Sequence, residues 1–117
     1  MKTIVAGGRS FKDAVLLDKI LWDWAGFTST RMEVVSGTAN GADKCGEQWA
    51  TTNGIGIKRF PAQWDEYGKS AGYRRNVEMA DYAEALIAFW DGKSKGTKHM
   101  IDIALAKGLI VKVVNYG

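Results

Sequence analysis

A chain of 117 residues fits a single domain, 1–117, with room for one core but not for separate catalytic and regulatory halves. Its 46% hydrophobic and 25% charged residues exclude a disordered chain, and no apolar stretch approaches the roughly 20 residues of a membrane span. Sixteen basic against thirteen acidic residues leave +3, a surplus that suits an anionic small molecule; without a long basic run, nucleic acid is not expected as the main partner. Met1-Lys2-Thr3-Ile4 leads into an apolar run without a signal-peptide layout, so a cytoplasmic location with no membrane partner is expected. The lone Cys45 cannot form an internal disulfide, and the spacing of His99, Cys45 and the carboxylates resembles no metal site, so neither metal nor cofactor is expected.

In chain order, strand Thr3–Ala6 gives way to Gly7-Gly8-Arg9-Ser10, and a helix follows from about Lys12 to Trp24. Leu17, Ile20, Leu21 and Trp24 share one face of it, and Gly26 is read as its close. Strand Glu33–Val35 leads through Ser36-Gly37-Thr38-Ala39-Asn40 into a helix that starts near Gly41, carries Ala42, Cys45 and Trp49 on one side, and stops at Asn53-Gly54. Strand Ile57–Phe60 ends at Pro61, and Ala62–Gly72 is the longest loop. A helix over Tyr73–Glu84, strand Ala85–Trp90, loop Asp91-Gly92-Lys93-Ser94-Lys95-Gly96, a helix from Thr97 to Gly108 and strand Leu109–Val114 complete the chain. Alternating strands and helices with nearly continuous apolar strand runs define an α/β chain: a five-stranded, mostly parallel sheet with helices on both faces, in three layers.

Three glycine-bearing loops thus follow strands and precede helices, where free helix N-terminal amides receive anions. In the first, Gly7 and Gly8 permit close ligand approach and Arg9 offers a forked donor to phosphate, as readily as they make a tight turn with a solvated arginine. In the second, Ser36, Gly37 and Gly41 provide hydroxyl and backbone donors around one anion; Asp43, in the first helical turn, either accepts from ribose hydroxyls or complements the helix dipole. In the third, Thr97 is placed to cap the last helix, and Gly92 and Gly96 around Ser94 leave room for a diphosphate. Trp64 and Tyr67 are suited to stacking on a purine, although aromatics more often pack. Trp90 adjoins the third loop without a clear role. Trp22, Trp24 and Trp49 exceed what one small core readily hides, so a homo-oligomer is expected. Arg74-Arg75-Asn76 puts cations near a helix N-terminus, a conflict with the dipole that points to an anion.

Gly7-Gly8-Arg9, Val35-Ser36-Gly37-Thr38-Ala39-Asn40-Gly41-Ala42-Asp43, Trp64 to Asn76, and Ala88-Phe89-Trp90-Asp91-Gly92-Lys93-Ser94-Lys95-Gly96-Thr97 resemble, in order, the motifs of small YspA-like proteins of the SLOG superfamily. The resemblance implies a Rossmann-like fold and binding of a nucleotide-derived ligand, ADP-ribose-type or another phosphorylated nucleotide. The binding residues it marks are Gly7, Gly8, Arg9, Ser10, Ser36, Gly37, Asn40, Gly41, Ala42, Asp43, Arg75, Asn76, Trp90, Asp91, Ser94, Gly96 and Thr97. The superfamily includes LOG phosphoribohydrolases, the DNA-uptake protein DprA and nucleotide sensors of antiphage systems. Arg75 matches the arginine implicated in cleavage of the base–ribose bond in the LOG group, but the glutamate's position is Met100. Sensing or sequestration is therefore the leading expectation, followed by phosphoribohydrolase activity and then by single-stranded DNA binding.

Overall fold

A computed structural model describes residues 1–28 and 31–116. Five strands, β1 (Lys2–Gly7), β2 (Glu33–Ser36), β3 (Gly56–Arg59), β4 (Ala85–Trp90) and β5 (Ile110–Asn115), form one sheet in the order β3-β2-β1-β4-β5. Every pairing is parallel, so the sheet is parallel throughout. Chain order runs outward from β1 to β3 on one side and from β4 to β5 on the other. The switch point therefore falls between β1 and β4, where a doubly wound sheet opens a crevice at its carboxyl edge.

The helices are α1 (Ala14–Thr28), α2 (Ala42–Thr52), a single turn α3 (Trp64–Tyr67), α4 (Ala71–Tyr82) and α5 (Lys95–Ala106). Alternate residues of the central strands point to opposite faces. Val5, Val34, Ile87 and Phe89 pack with Leu17 and Leu21 of α1 and Trp49 of α2. Ile4, Val35, Leu86 and Ala88 pack with Met79 of α4 and Met100, Ile101 and Ala104 of α5. These two cores make a three-layer, Rossmann-like domain.

Several boundaries differ from the sequence reading for local reasons. The Asp13 carboxylate accepts the Leu16 amide at 3.0 Å, so α1 starts at Ala14, and it runs through Gly26 to Thr28. The segment Ala62–Gly72 is largely ordered backbone: α3 is followed by a 3₁₀ turn, Gly68–Ser70, that feeds directly into α4. That helix stops at Tyr82 because Ala83 turns extended, and the Glu84 amide then joins Lys2 of β1 at 2.8 Å. Ser94, rather than Thr97, caps α5; its side chain accepts the Thr97 amide.

The tryptophans are largely accounted for within one chain. Trp24 Nε1 donates to the buried Thr3 hydroxyl at 3.1 Å, and Trp49 Nε1 donates to Asp18 at 3.0 Å. Trp22 lies against Trp49 with ring centroids 5.3 Å apart and stays 49% exposed. The tryptophan count thus supplies little of the apolar surface on which the expected self-association rested.

What fixes α2 over the sheet is Gly46, at which a Cβ would lie 2.8 Å from Cγ1 of Val5. Gly46→Val is expected to destabilise the fold by roughly 1–3 kcal/mol through overpacking, measured by urea denaturation, although valine is the better helix former.

Candidate functional site

The crevice at the switch point is a cleft of about 240 Å³ whose floor and walls come from β1, α2, α4 and the start of α5. Eight of the residues marked in the sequence line it: Gly7, Arg9, Asp43, Arg75, Asn76, Ser94, Gly96 and Thr97. Gly37 and Asn40 line a second depression of about 360 Å³ that adjoins it.

The remaining marked residues build the walls from behind. The Gly8 amide donates to the Phe89 carbonyl at 3.1 Å, while its carbonyl accepts from the amides of Phe11 and Ala42. Gly41 has φ +82°, and a Cβ there would lie 2.2 Å from the Gly8 carbonyl oxygen, so only glycine lets the second loop press on the first. Ala42 is buried beneath it. The Ser10 hydroxyl faces that of Tyr116 at 3.4 Å, away from the cleft lining. Asp91 Oδ1 accepts the amides of Lys93 and Ser94, each at 2.8 Å, and Trp90 Nε1 donates to the Ser94 carbonyl at 3.1 Å. Trp90 and Asp91 therefore shape the third loop. They present no group to the cleft lining.

Ser36 corrects the sequence reading most clearly. Fully buried, it donates its hydroxyl to Glu47 Oε2 at 2.6 Å instead of to a ligand, and accepts the Thr38 amide at 3.0 Å. Glu47 Oε1 in turn receives Arg59 Nε at 2.8 Å. Burial pushes the Glu47 carboxyl up, but the hydrogen bonds from Ser36 and Arg59 outweigh it and hold the group below its ordinary value. This network clamps the second loop, where Thr38 adopts φ +65°, a strained conformation for a β-branched residue. Glu47 went unmarked because an isolated glutamate in a helix reads as solvated surface.

Arg75 reaches from α4 to the second loop, where its Nη1 donates to the Gly37 carbonyl. Its Nε donates to Asn76 Oδ1 at 3.1 Å, and Asn76 Nδ2 approaches the Gly96 carbonyl at 3.3 Å and His99 Nδ1 at 3.1 Å. With Asn76 donating, His99 Nδ1 accepts and its proton sits on Nε2. Burial holds the His99 pKa below its ordinary value, with Asp102 opposing, so the neutral ring is the form that keeps this bond. Asn76 thus ties α4 to α5 and orients the guanidinium. The dipole conflict has a geometric answer: Arg75 leaves its own helix end for the carbonyl of Gly37 and lines the cleft.

Arg9 enters the same cleft from the first loop. Among the described residues, neither Arg9 nor Arg75 has a carboxylate within ion-pair distance. The first-turn amides of α5 lack intrahelical acceptors, and the Thr97 amide is met by Ser94. Two guanidinium groups and the N-terminus of α5 thus line one crevice.

Asp43 is 5% exposed and takes one hydrogen bond, from the Ala39 amide, at 3.2 Å. Burial pushes its pKa up to about 6, against the pull of the Ala39 amide and the Arg75 guanidinium. Met79 and Met100 close the opposite wall with apolar thioethers. Of the aromatics, Trp64 lines both depressions at 51% exposure, while Tyr67 lies under the Arg74 guanidinium, 4.3 Å from ring centroid to Cζ. Tyr73 and Lys69, unmarked in the sequence, complete the rim. Among the described residues, no three His, Cys, Asp or Glu side chains gather as a metal site. No described helix is long and apolar enough to cross a membrane.

The fold is that of a Rossmann-like domain with a cleft at its switch point. The model of the YspA, cpYpsA-related SLOG family matches residues 1–67, more than half of the chain, and the protein belongs to that family. It is 32% identical to the Gene 61 protein of Mycobacterium phage D29 over 99% of this chain and 96% of the relative. The fold is also that of DNA processing protein A (DprA) from Streptococcus pneumoniae, with a TM-score of 0.79 at 19% identity. That match covers 99% of this chain and 50% of the DprA chain, so the protein spans about half the length of its structural neighbour.

The raised Asp43 pKa has a measurable sign. A carboxyl that binds its proton more tightly when folded stabilises the fold below its unfolded value of 3.8, and loses that contribution as pH rises through about 6. Relative to Asp43→Asn, the parent is expected to gain stability as pH falls from about 7.5 to 4, by no more than roughly 3 kcal/mol. Urea denaturation of both proteins across that range checks it; parallel pH profiles would show that Asp43 titrates normally.

Proposed function

We propose that the protein binds a nucleotide-derived ligand in the switch-point cleft, with the phosphate held between Arg9, Arg75 and the N-terminus of α5. The observation that supports this most strongly is the pair of guanidinium groups, drawn from different elements and left without ion-pair partners among the described residues, that meet in one crevice. An anion carrying a diphosphate satisfies both forks at once. Ribose hydroxyls find an acceptor in Asp43, and an aromatic base finds the exposed face of Trp64. Membership of a SLOG family and a fold shared with a DNA processing protein agree with nucleotide chemistry. A cleft of about 240 Å³ is of a size for a small molecule.

The role we favour is sensing or sequestration of an ADP-ribose-type or other diphosphate nucleotide. Hydrolysis of the base–ribose bond needs a group that stabilises positive charge on the sugar or activates water; Met79 and Met100 offer neither, which leaves Asp43 as the carboxyl in the cleft lining, at a position that does not match the LOG glutamate. Sequestration also suits a relative encoded by a phage. The protein is expected to work as a homo-oligomer in the cytoplasm.

Mass spectrometry of small molecules released from the purified protein identifies the ligand, and calorimetry then measures its affinity. Arg75→Ala is expected to weaken binding by roughly 1.5–3 kcal/mol, the range for a charge-assisted hydrogen bond. No free base is expected from nucleoside monophosphates. Sustained base release by the parent, lost in Arg75→Ala while affinity is kept, would replace this reading with that of a phosphoribohydrolase.

A further inference from the structure

The sheet ends on two unlike edges. At β3 the free edge is four residues long, opens with Gly56 and carries Lys58 and Arg59, the short, charged build that keeps an edge from pairing. At β5 it is six residues long, and four of them, Ile110, Val111, Val113 and Val114, are aliphatic. Ile110 is 48% exposed and Val113 39%. The ladder to β4 determines which backbone groups stay free. The Ile110 amide donates to the Glu84 carbonyl and the Tyr116 amide to the Trp90 carbonyl, so residues 110, 112, 114 and 116 turn their backbone groups inward. The amides and carbonyls of Val111, Val113 and Asn115 face outward, and no described strand receives them.

Beside this edge, β5 and α1 border a groove of about 390 Å³ lined by Ile20, Asp23, Trp24, Val111 and Lys112. Asp23 and Lys112 are both exposed, and among the described residues neither has an ion-pair partner although they flank one groove. A lone lysine in an edge strand ordinarily opposes pairing. Here an unpaired carboxylate accompanies it, and a two-fold axis brings each Lys112 towards the Asp23 of the other copy, because an isologous interface makes every contact twice. Charge also selects the register. An antiparallel pair centred on Lys112 would oppose the two lysines directly, which is unfavourable. Centred on Val113, the pair joins the outward backbone groups of Val111, Val113 and Asn115 to the same three residues of the second copy, and Lys112 lies opposite Val114. The facet measures about 20 Å along the strand and about 25 Å across the three layers. Two copies would thus bury on the order of 1,000 Å² in total, the lower bound of a specific interface and the size of a reversible dimer.

We propose that the β5 edge is the surface on which a second copy of this chain docks, by antiparallel pairing of β5 with β5 about a two-fold axis at Val113. The product is a continuous ten-stranded sheet closed by two reciprocal Lys112–Asp23 contacts. The switch-point clefts, between β1 and β4 of each copy, stay clear of the joint. This assignment rests on the homo-oligomer expected above, to which it gives a surface, and is independent of the ligand.

Sedimentation velocity of the full chain from about 1 to 300 μM, spanning the Kd of a micromolar dimer, tests it together with cross-linking. The parent is expected to pass from monomer to dimer over that range. Lys112→Glu and Asp23→Lys should each weaken the dimer about 10-fold or more through like-charge opposition, and the double variant, with the charges exchanged, should recover to within about 3-fold of the parent. Val113→Cys places two thiols across the axis at the Cα separation of a hydrogen-bonded antiparallel pair, about 5.5 Å, which a disulfide spans. Oxidised glutathione, which takes up the two electrons, is expected to link that variant into a covalent dimer and to leave the parent, whose one thiol is the half-buried Cys45, unlinked. A dimer undiminished in both single charge variants, or no cross-link from Val113→Cys, would overturn the β5 joint and leave the homo-oligomer standing. A strict monomer throughout would overturn both and assign the edge to a different partner.

Discussion

The backbone of Gly8 holds the site together. Its amide binds the Phe89 carbonyl at the end of β4, and its carbonyl receives the amides of Phe11 and Ala42. One residue therefore joins the two strands at the switch point, the approach to α1 and the first residue of α2. Gly7 completes the approach, since a Cβ there would lie 2.3 Å from the same Phe89 oxygen. Side chains would part these elements by the width of a methyl group. Without that proximity Arg9 would no longer face Arg75 across a narrow cleft.

A second layer of constraint stands behind the loops. The Arg59–Glu47–Ser36 chain is anchored in α2 and β3, and ends on the amide of Thr38. It fixes the loop whose Gly37 carbonyl receives Arg75. On the other side, Asn76 ties Arg75 to α5 through Gly96 and His99. The guanidinium is thus oriented from two directions by groups that need not touch a ligand. Such prior orientation reduces the entropy lost when an anion arrives.

Much of the fold was legible because its signals are periodic. Strand Ala85–Trp90 was read with its bounds intact, and its neighbours within a residue or two. Apolar runs on a doubly covered sheet leave little ambiguity. The errors fell where side chains compete with backbone. Asp13 moved the start of α1, Ser94 took the cap expected of Thr97, and α3 with its 3₁₀ turn escaped notice because Trp64–Ser70 has no buried residue to give it a period. The site was legible as a set of loops but not as a set of directions. Ser36 and Gly37 are neighbours in one motif, yet Ser36 points into the protein and Gly37 lines the depression beside the cleft. Burial at a strand end decides between them, and one sequence carries no record of it. His99 and Glu47 were missed for the converse reason: their partners are distant in the chain, and nothing local distinguishes them from surface residues.

The electrostatics of the cleft follow from the same geometry. Arg9 disfavours the charge on Arg75, and burial does so more strongly, with Asp43 the group that relieves it. Asp43 is itself destabilised as an anion by burial, and Arg75 offsets only part of that. The cleft therefore holds two cations, Arg9 exposed and Arg75 partly buried, beside one reluctant carboxylate. An incoming diphosphate neutralises the arginines directly. By adding negative charge near Asp43, it also favours the protonated carboxyl, which can donate a hydrogen bond as well as accept one. Anion binding and protonation at Asp43 are coupled in this way, so affinity for a diphosphate should strengthen as pH falls towards 6. A carboxylate at the place of Met100 would sit in the same field and lose part of the arginine attraction that binds the phosphate. The thioether at that wall adds no negative charge beyond that of Asp43, so on the proposed reading it leaves the arginines to the ligand.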